Sequence, residues 1–394
     1  MLIGIVGKPS VGKSTFFKAS TLAEVEIASY PFTTIKPNRA VGYVKIKDPA
    51  KDFGKTSNPR NGFVLGDYRF VAVELLDVAG LVPGAHEGKG LGNQFLNDLS
   101  QADVLIHVVD ISGSTNEKGE AVKPLSYDPC NDLKFLEKEL DMWILQMVKK
   151  GWDKFIKQNS SADLELHKAM AKQLSSLRLT EDDAELILKN FDKNVKSWDE
   201  IVLFHFAKEV RKKTKPIIIA ANKIDVKGAE ANLENIKREF PDYTIVPCSA
   251  DSELALREAS KRGLISYIPG DNNFIINKGL NDLQLNALNT IKENVLNKFG
   301  TAGVQDVLNV AVFELLKYLA IFPGGVNKLE DSQGRVLPDC FLMKKGSTAL
   351  DFAYKLHTDF GKNFIRAINV RRKLTVGKDY ELNNLDILEI IANR

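Results

Sequence analysis

Residues 7–14 form a glycine-rich segment with the pattern G-x-x-x-x-G-K-S. In this pattern the glycines let backbone N–H groups turn toward phosphate oxygens, and the N-terminus of a following helix adds partial positive charge. Lys13 would supply a point charge for the β- and γ-phosphates, and the hydroxyl of Ser14 is a ligand for Mg²⁺. The segment therefore predicts a site for a nucleoside triphosphate and its magnesium ion. The residues expected to line it are Lys8, Pro9, Ser10, Val11, Gly12, Lys13, Ser14 and Thr15.

The residues on either side predict the strand and the helix that this pattern requires. Residues 2–6 are a short apolar run with β-branched side chains, which is typical of a buried parallel strand. Residues 15–20 are interpreted as the first turns of a helix. A glycine-rich loop between a strand and a helix is the context that separates a phosphate-binding loop from a chance match.

A second stretch that could contact phosphate follows the first helix. Residues 29–38 contain Pro31 and Pro37, which favour an extended or looped backbone. In P-loop nucleotide hydrolases, a threonine in this loop reaches the metal and the γ-phosphate. Thr34 is predicted to take this role, with Thr33 as the alternative, although such a pair by itself is more typical of a surface turn.

Two further strands are predicted at residues 40–47 and 68–76, with a long polar loop between them. The second strand runs into Asp77, three residues before Gly80. An aspartate at the carboxyl end of a buried strand can hold Mg²⁺ through water, and the N–H of Gly80 can contact the γ-phosphate and swing away after hydrolysis. Asp77 is therefore a predicted metal ligand, and Gly80 a predicted catalytic contact.

Residues 81–94 are interpreted as a switch. Five glycines between positions 80 and 92 argue against a rigid element, so the alternative is an unstructured surface loop. A segment without strong local preferences can be ordered by one phosphate and released without it, which favours the switch. Leu81 stands where many GTPases place the glutamine that orients the attacking water. Either another group orients the water, or intrinsic hydrolysis is slow and depends on a partner. His86 is the nearest titratable candidate for that group, and the alternative is that this histidine is only solvated.

The connection between the next two buried strands is predicted to carry a helical insertion. These strands are expected at residues 102–110 and 215–221, much farther apart than a crossover connection requires. Residues 115–213 are therefore predicted to be an inserted set of helices that includes a helix hairpin. Apolar side chains at helical spacing in residues 131–150 are interpreted as packing rather than as a cofactor site. Two helix caps are expected here: Thr180 for residues 181–190, and Ser197, in a capping box, for a helix through about residue 213.

The pattern N-K-x-D, which begins at Asn222, follows the strand after this insertion and is typical of a guanine site. The carboxylate of Asp225 can accept hydrogen bonds from the ring N1–H and the exocyclic N2–H₂ of guanine, and adenine does not present these donors. Asn222 can bridge the base N7 and the phosphate loop, while the aliphatic stem of Lys223 can cover the ring. After one more short strand, the backbone of Ser249 and Ala250 would contact the guanine O6.

These four motifs, in this order, resemble the GTPases of the Obg family. Residues 30–34 (Y-P-F-T-T) and 77–85 (D-V-A-G-L-V-P-G-A) carry the likeness, and the insertion and the carboxyl-terminal segment are similar to the YchF branch over essentially the whole chain. YchF proteins replace the base-reading motif with N-x-x-E and take ATP. The intact N-K-x-D resembles their archaeal and eukaryotic sister group and implies GTP. Ser10 stands where potassium-stimulated relatives carry asparagine, which puts activation by a monovalent cation in doubt.

The segment from residue 318 to residue 394 resembles a TGS domain, a ubiquitin-like β-grasp module found on GTPases and tRNA synthetases. Residues 341–353 carry the likeness, followed by a helix capped by Ser347 or Thr348 and two or three strands. Residues 316–394 hold 13 basic and 9 acidic side chains, a net charge near +4, so the rest of the chain is close to neutral. Such an excess suits contact with RNA phosphates, whereas each basic residue alone could equally be a solvated turn. The cluster expected to make this contact is Lys344, Lys345, Arg371, Arg372 and Lys373.

The composition sets the remaining expectations. No apolar run approaches the roughly 18 residues of a membrane span, and the first strand begins at residue 2, so a cytoplasmic protein is expected. The three cysteines lie far apart, which indicates neither a disulfide framework nor a zinc site.

The expected fold class is α/β, with a P-loop GTPase domain of mostly parallel sheet, a helical insertion and a carboxyl-terminal β-grasp TGS domain. The domain boundaries are placed at residues 1–114 with 214–317, 115–213 and 318–394. The expected function is hydrolysis of GTP to GDP and phosphate with Mg²⁺, by a monomeric switch that acts on the ribosome or on structured RNA. The alternatives are a nucleotide-dependent RNA-binding module with incidental hydrolysis, and an ATPase of the YchF type.

Overall fold

A computed structural model of the chain describes residues 1–21, 38–78, 98–152, 155–156, 165–192, 194–277 and 279–393. The larger of its sheets has seven strands in the order β2-β4-β1-β5-β6-β7, with β3 paired to β4. From β4 to β7 the pairs are parallel, while β2 and β3 run antiparallel to β4. The strands are β1 (Leu2–Val6), β2 (Arg39–Lys47), β3 (Phe63–Leu65), β4 (Tyr68–Asp77), β5 (Val104–Asp110), β6 (Ile217–Asn222) and β7 (Thr244–Pro247).

Every strand predicted for this sheet is confirmed, and the segment predicted as a plain loop at residues 48–67 contains more structure. It holds a 3₁₀ turn (Pro49–Phe53) and the short strand β3. Asp48 caps the 3₁₀ turn by accepting a hydrogen bond from the N–H of Ala50. A three-residue strand is too short to show a periodic pattern in the sequence, which explains why it was missed.

The helices cover both faces of the sheet and extend beyond it. In chain order, the described α-helices of at least five residues are α1 (Lys13–Thr21), α2 (Cys130–Lys149), α3 (Leu166–Gln173), α4 (Glu181–Leu188), α5 (Glu200–Thr214), α6 (Ala229–Glu239), α7 (Ala250–Lys261), α8 (Asp282–Ile291), α9 (Val304–Asn309), α10 (Ala349–Leu356) and α11 (Thr358–Lys362). A two-stranded sheet of β8 (Ile265–Tyr267) and β9 (Phe274–Ile276) follows α7. No helix within the described parts of the chain is long and apolar enough to cross a membrane.

The parallel strands bring the chemical motifs to one edge of the sheet. All residues of β5 and β6 are buried, as expected for strands covered by helices on both faces. Their register sets Asp110 opposite Asn222, and β1 places Ile5 opposite Asp77. Because parallel strands end at the same edge, the phosphate loop, Asp77 and Asn222 come together there.

The insertion is helical, as predicted, and its stripe of apolar residues packs in the core. In α2, Leu133, Leu136, Leu140 and Ile144 are fully or almost fully buried. Helix α2 runs antiparallel to α5, but α3 and α4 lie between them in the chain, so the pair is not a simple hairpin. Buried Arg211 of α5 joins the two helices by an ion pair of 2.6 Å with Asp141 and one of 3.1 Å with Glu137.

One of the two predicted caps in the insertion is confirmed and the other is wrong. The hydroxyl of Thr180 accepts from the N–H of Asp183 at the start of α4. Ser197 instead closes a 3₁₀ turn that begins at Val195, and α5 starts later than the capping box implied. Asp199 is the cap, because its carboxylate accepts from the N–H of Val202 at 2.9 Å.

The carboxyl-terminal domain contains a five-stranded sheet in the order β11-β10-β14-β12-β13. Helix α10 starts with a capping box: the hydroxyl of Thr348 accepts from the N–H of Asp351, whose carboxylate accepts from the N–H of Thr348. Thr348, rather than Ser347, is therefore the cap. The strands are β10 (Tyr318–Pro323), β11 (Phe341–Lys344), β12 (Phe364–Asn369), β13 (Leu374–Val376) and β14 (Ile387–Ala392).

The two large sheets share one apolar core. Phe322 and Ile387 of the carboxyl-terminal domain belong to the same buried cluster as Val44 and Val307. Helix α9 contributes Val304, Val307 and Leu308 to this cluster and so helps to pack the two parts together.

Segment 48–69 also joins the two parts, which the sequence did not predict. Arg69 of β4 is 1% exposed, and its guanidinium donates to the carbonyls of Leu337 and Pro338. Around it, exposed ion pairs join Arg60 to Asp331 and Asp339, at 2.8 and 2.7 Å. Two more pairs cross the junction, Lys55 with Glu330 and Arg371 with Asp52.

Candidate nucleotide-binding site

The glycine-rich segment forms the predicted loop between β1 and α1. Ser10 and Gly12 have φ angles of 65° and 92°, in the left-handed region that turns the backbone sharply. A Cβ atom on Gly12 would lie 2.3 Å from Nδ2 of Asn222, so only glycine fits there. Helix α1 begins at Lys13, and its first N–H groups therefore face the loop. This arrangement of backbone donors can hold phosphate oxygens.

Lys13 and Asp77 meet at the end of the loop. The Lys13 ammonium donates to the carbonyl of Val78 at 2.7 Å and lies 3.4 Å from Oδ1 of Asp77. This buried oxygen has no hydrogen-bond partner among the described residues, and the hydroxyl of Ser14 stands exposed in the first turn of α1. A carboxylate oxygen without a hydrogen-bond partner and an open hydroxyl belong to the oxygen donors that Mg²⁺ prefers. Ser14 and Asp77 therefore fit the predicted metal.

Asn222 joins the phosphate loop to the start of α7. Its side chain is buried, with Nδ2 donating to the carbonyl of Val11 and Oδ1 accepting from the N–H of Ala250, both at 2.9 Å. The predicted bridge from Asn222 to the phosphate loop is therefore present. The N–H of Ala250, which the sequence assigned to the guanine O6, is directed at Asn222 here. Ser249 caps α7 by accepting from the N–H of Ser252.

Lys223 and Asp225 occupy the turn after β6. Asp225 is exposed, and no hydrogen-bond or ion-pair partner for its carboxylate exists within the described part of the chain. Burial and, second to it, the charge of Asp225 raise the pKa of the Cys248 thiol well above its usual range. The carboxylate of Asp225 is therefore near Cys248. Lys223 has a φ of 63°, and its ammonium lies 2.9 Å from Oδ2 of Asp110. The turn thus presents one open carboxylate and one lysine whose charge is already paired.

The side chain of Lys8 is not available to phosphates, although the sequence placed it with the lining residues. It is 5% exposed, and its ammonium lies 2.9 Å from the carboxylate of Asp132 and donates to the carbonyl of Thr115 at 3.0 Å. The same ammonium lies 3.9 Å from the ring centre of Tyr127. Only the backbone of Lys8 can therefore face a nucleotide.

Sequence reasoning missed two carboxylates near the site. Asp110 ends β5 and contacts Lys223, while Asp132 lies in the first turn of α2 and pairs with Lys8. Asp110 could have been found, because it ends a buried strand at the edge where the motifs converge. Asp132 left no such signal, since its partner is distant in the chain.

Several predicted residues lie outside the described residues. These are Thr33, Thr34, Gly80, Leu81 and His86, together with the segment 81–94 interpreted as a switch. The described residues that flank these gaps are tied together. The guanidinium of Arg39 donates to Glu74 and to Gln101, both at 2.6 Å, and the carbonyl of Asn38 accepts from the N–H of Asp77.

Three models of known protein families together match most of the chain. A model described as a 50S ribosome-binding GTPase matches residues 2–147. A model described as the G4 motif-containing domain of Obg-like, YGR210-like GTPases matches residues 220–325, and a TGS domain matches residues 333–392.

Similar proteins match over nearly the full length. A GTP-binding protein of Methanocaldococcus jannaschii is 47% identical over 99% of each chain. The crystal structure of a GTP-binding protein from Pyrococcus horikoshii has a TM-score of 0.79 and 40% identity, and covers 100% of both chains. The ribosome-binding ATPase YchF of Haemophilus ducreyi is 29% identical over 92% of this chain and 86% of its own. With its P-loop, its N-K-x-D turn and its carboxyl-terminal TGS domain, this chain belongs to the Obg-like, YchF-related GTP-binding proteins.

Proposed function

We propose that this protein binds GTP with Mg²⁺, hydrolyses it slowly to GDP and phosphate, and acts as a switch on the ribosome or its RNA. The observation that carries this proposal is the position of Asn222, which links the phosphate loop at Val11 to the start of α7 at Ala250. That link brings the loop of residues 7–14 and the open carboxylate of Asp225 to the same edge of the sheet, which supports one shared nucleotide site.

The base choice follows from Asp225. Guanine can donate from both N1–H and N2–H₂ to one carboxylate, whereas adenine would leave that carboxylate without donors. A site built to receive hydrogen bonds penalises the base that cannot make them. The YchF-type ATPase remains the second candidate, because a relative is named as an ATPase, and Asp225 is what disfavours it.

The chemistry is an in-line attack of water on the γ-phosphate. Lys13 would stabilise charge on the transferring group, and Ser14 and Asp77 would hold Mg²⁺, which would supply positive charge beside the phosphates. Thr34 and Gly80 are assigned to the metal and the γ-phosphate, and His86 is the candidate to act on the attacking water. With Leu81 in the place of a glutamine, unassisted turnover should be about 10⁻⁴–10⁻² s⁻¹.

The test of base choice compares GTP, ATP and XTP on wild type and on two variants. Wild type should bind GTP far more tightly than ATP, and Asp225→Asn should shift the preference toward XTP, whose C2 carbonyl needs a donor. Asp242→Asn is the matched control, because Asp242 is also exposed but lies before β7, at the opposite edge of the sheet. Equal affinity of wild type for ATP and GTP would contradict the assignment.

The test of catalysis measures phosphate release by the isolated protein. Lys13→Ala should abolish it, and His86→Ala should lower it without changing nucleotide affinity if this histidine acts on water. Turnover above about 1 s⁻¹ in the isolated protein would show that a catalytic group has been missed, since unassisted switch GTPases are far slower.

The ribosomal part of the proposal is supported by the TGS match, by the description of the matching GTPase family and by the name of the YchF relatives. The basic excess of residues 316–394 would supply phosphate contacts. Arg372 and Lys373 are exposed, and no ion pair to either is present in the described ranges, whereas Arg371 pairs with Asp52.

Co-sedimentation with ribosomes across a salt series tests this contact. Wild-type affinity should fall steeply with salt, because each phosphate that is neutralised releases counterions. Arg372→Ala with Lys373→Ala should flatten that slope and leave GTP binding unchanged. Asp52→Asn breaks the Arg371 pair while sparing all basic side chains, so it controls for a loosened domain junction. An unchanged slope in the double variant would move the contact to another surface, such as the helical insertion.

A further inference from the structure

Asp110 is a buried carboxylate at the edge of the nucleotide site with no role assigned above. Its side chain is 0% exposed, yet it lies at the carboxyl end of β5 beside Asn222. One oxygen accepts from the hydroxyl of Ser112 at 2.5 Å. The other accepts from the hydroxyls of Ser114 and Thr115, both at 2.9 Å. Burial raises the pKa of Asp110, but these hydrogen bonds and Lys223 outweigh it, so the pKa lies below its usual range.

The remaining partner of Asp110 is Lys223, the lysine of the N-K-x-D motif. The Nζ–Oδ2 distance is 2.9 Å, and the lysine side chain is 25% exposed. Its backbone has a φ of 63°, which is unfavourable for a residue with a Cβ. A free lysine side chain loses rotamer entropy when it is fixed. Pairing with Asp110 fixes the ammonium end before any ligand arrives.

The same carboxylate also reaches the phosphate loop. Thr115, whose hydroxyl donates to Asp110, accepts through its carbonyl from the ammonium of Lys8 at 3.0 Å. Gly119, in the turn that follows, lies against Pro9 so closely that a Cβ on it would be 2.7 Å from the Pro9 Cβ. Asp110 thus anchors the loop that packs on the phosphate loop as well as the lysine on the base side.

We propose that Asp110 is a positioning residue for guanine-nucleotide binding, which holds Lys223 in place so that its aliphatic stem is ready to cover the purine. This inference rests on the proposed guanine site. Because the lysine charge is already paired, the purine meets an ordered side chain, and binding avoids the cost of ordering it. The expected result of losing Asp110 is faster release of the nucleotide.

The experiment measures the dissociation rate of a fluorescent GDP derivative. Asp110→Asn should speed release on the order of tenfold, the scale of one hydrogen bond to a charged group. Asp103→Asn is the matched control. Asp103 also accepts a backbone N–H, that of Leu2, and pairs with Arg178, but it precedes β5 at the opposite edge of the sheet. It should leave the release rate within about twofold of wild type, since distant sites act independently.

A double-mutant cycle separates positioning from general destabilisation. Lys223→Met keeps the stem and removes the ammonium. If Asp110 acts mainly through Lys223, Asp110→Asn should speed GDP release much less in the Lys223→Met background than in wild type. Rates that multiply in the double variant would overturn the proposal. Wild type that does not retain GDP at all would refute the guanine site itself, which is a distinct outcome.

A measurement on the unaltered protein keeps the test valid if Asp110→Asn does not fold. In nucleotide-free wild type, acetylation followed by mass spectrometry should modify Lys223 at least tenfold more slowly than exposed Lys227 in the same turn, because a paired, ordered ammonium reacts poorly. Equal reaction rates would show that Lys223 is not held before the ligand binds, and the proposal would fail.

Discussion

Arg69 is expected to hold the carboxyl-terminal domain against the nucleotide-binding domain more strongly than any exposed ion pair at the same junction. Arg69→Met keeps an apolar stem of similar length and removes the guanidinium. The carbonyl of Leu337 would then lose its donor, and the carbonyl of Pro338 would keep only the N–H of Arg60. The ring of Phe322, 5.1 Å from the guanidinium carbon, would lose its cation.

The magnitude follows from opposing terms. A buried carbonyl left without a donor, as that of Leu337 would be, costs about 1–3 kcal/mol. Burial lowers the pKa of Arg69, which reflects the cost of holding a charge there, so removing the charge returns part of the loss. We expect a net loss of about 2 kcal/mol in the free energy of unfolding.

Arg60→Met is the matched control at the same junction. Arg60 also pairs across the junction, with Asp331 and Asp339, but its side chain is 43% exposed. Exposed pairs contribute about 0–1 kcal/mol. Comparing the two variants therefore shows whether burial of the arginine or charge pairing stabilises the junction.

The assay is urea unfolding followed by circular dichroism. Tryptophan fluorescence serves as a second probe that reports mainly on the insertion, because Trp143, Trp152 and Trp198 all lie there. A loosened junction should shift the circular dichroism transition first and separate the two curves. Equal shifts for Arg69→Met and Arg60→Met, or no shift for either, would refute the reasoning.

Three further outcomes are expected. Gly12→Ala should lower GDP affinity at least tenfold in a titration with fluorescent GDP, because the new Cβ would meet Asn222. Gly54→Ala is the control, since Gly54 also has a positive φ but has open space around it. This variant should lose about 1 kcal/mol of stability and keep its GDP affinity. Burial and, second to it, the charge of Lys8 lower the pKa of His107 to about 3. Because the unfolded state then binds a proton that the folded state does not, the free energy of unfolding should fall by about 2 kcal/mol from pH 6.5 to pH 4.5. His107→Gln should abolish this fall in urea titrations at the two pH values. Burial lowers the pKa of Lys215 to about 8, so stability should rise from pH 8 toward pH 10, and Lys215→Met should remove that rise in the same titrations.

The parts of the site that could be predicted from the sequence are those set by local pattern and by strand direction. An apolar run before G-x-x-x-x-G-K-S specifies strand, loop and helix, and parallel strands deliver Asp77 and Asn222 to the same edge. No distant contact needs to be known for either step. The confirmed cap at Thr180 is local in the same sense.

The side chain of Lys8 shows where such reasoning ends. Its neighbours in the sequence all belong to the phosphate loop, but its charge partner Asp132 lies in a helix 124 residues later. Nothing in a local pattern distinguishes a lysine that faces phosphate from one that turns into the core. Segment 48–69 is similar, because its polar composition is typical of a loop while its partners lie near residues 330–340.

The insertion and the carboxyl-terminal domain are attached to the nucleotide-binding domain in different ways, and this decides which variant can test the ribosome contact. The insertion contacts the phosphate loop itself, through buried Lys8 and Asp132. The carboxyl-terminal domain attaches through Arg69 in β4 and through the shared core around Phe322. Removing residues 318–394 would therefore expose part of that core and leave Arg69 without its partners, even though every nucleotide motif precedes residue 251. If such a truncated protein failed to bind ribosomes, either a missing contact or a damaged fold could be the cause. The double variant Arg372→Ala with Lys373→Ala separates the two, because it changes only the exposed surface.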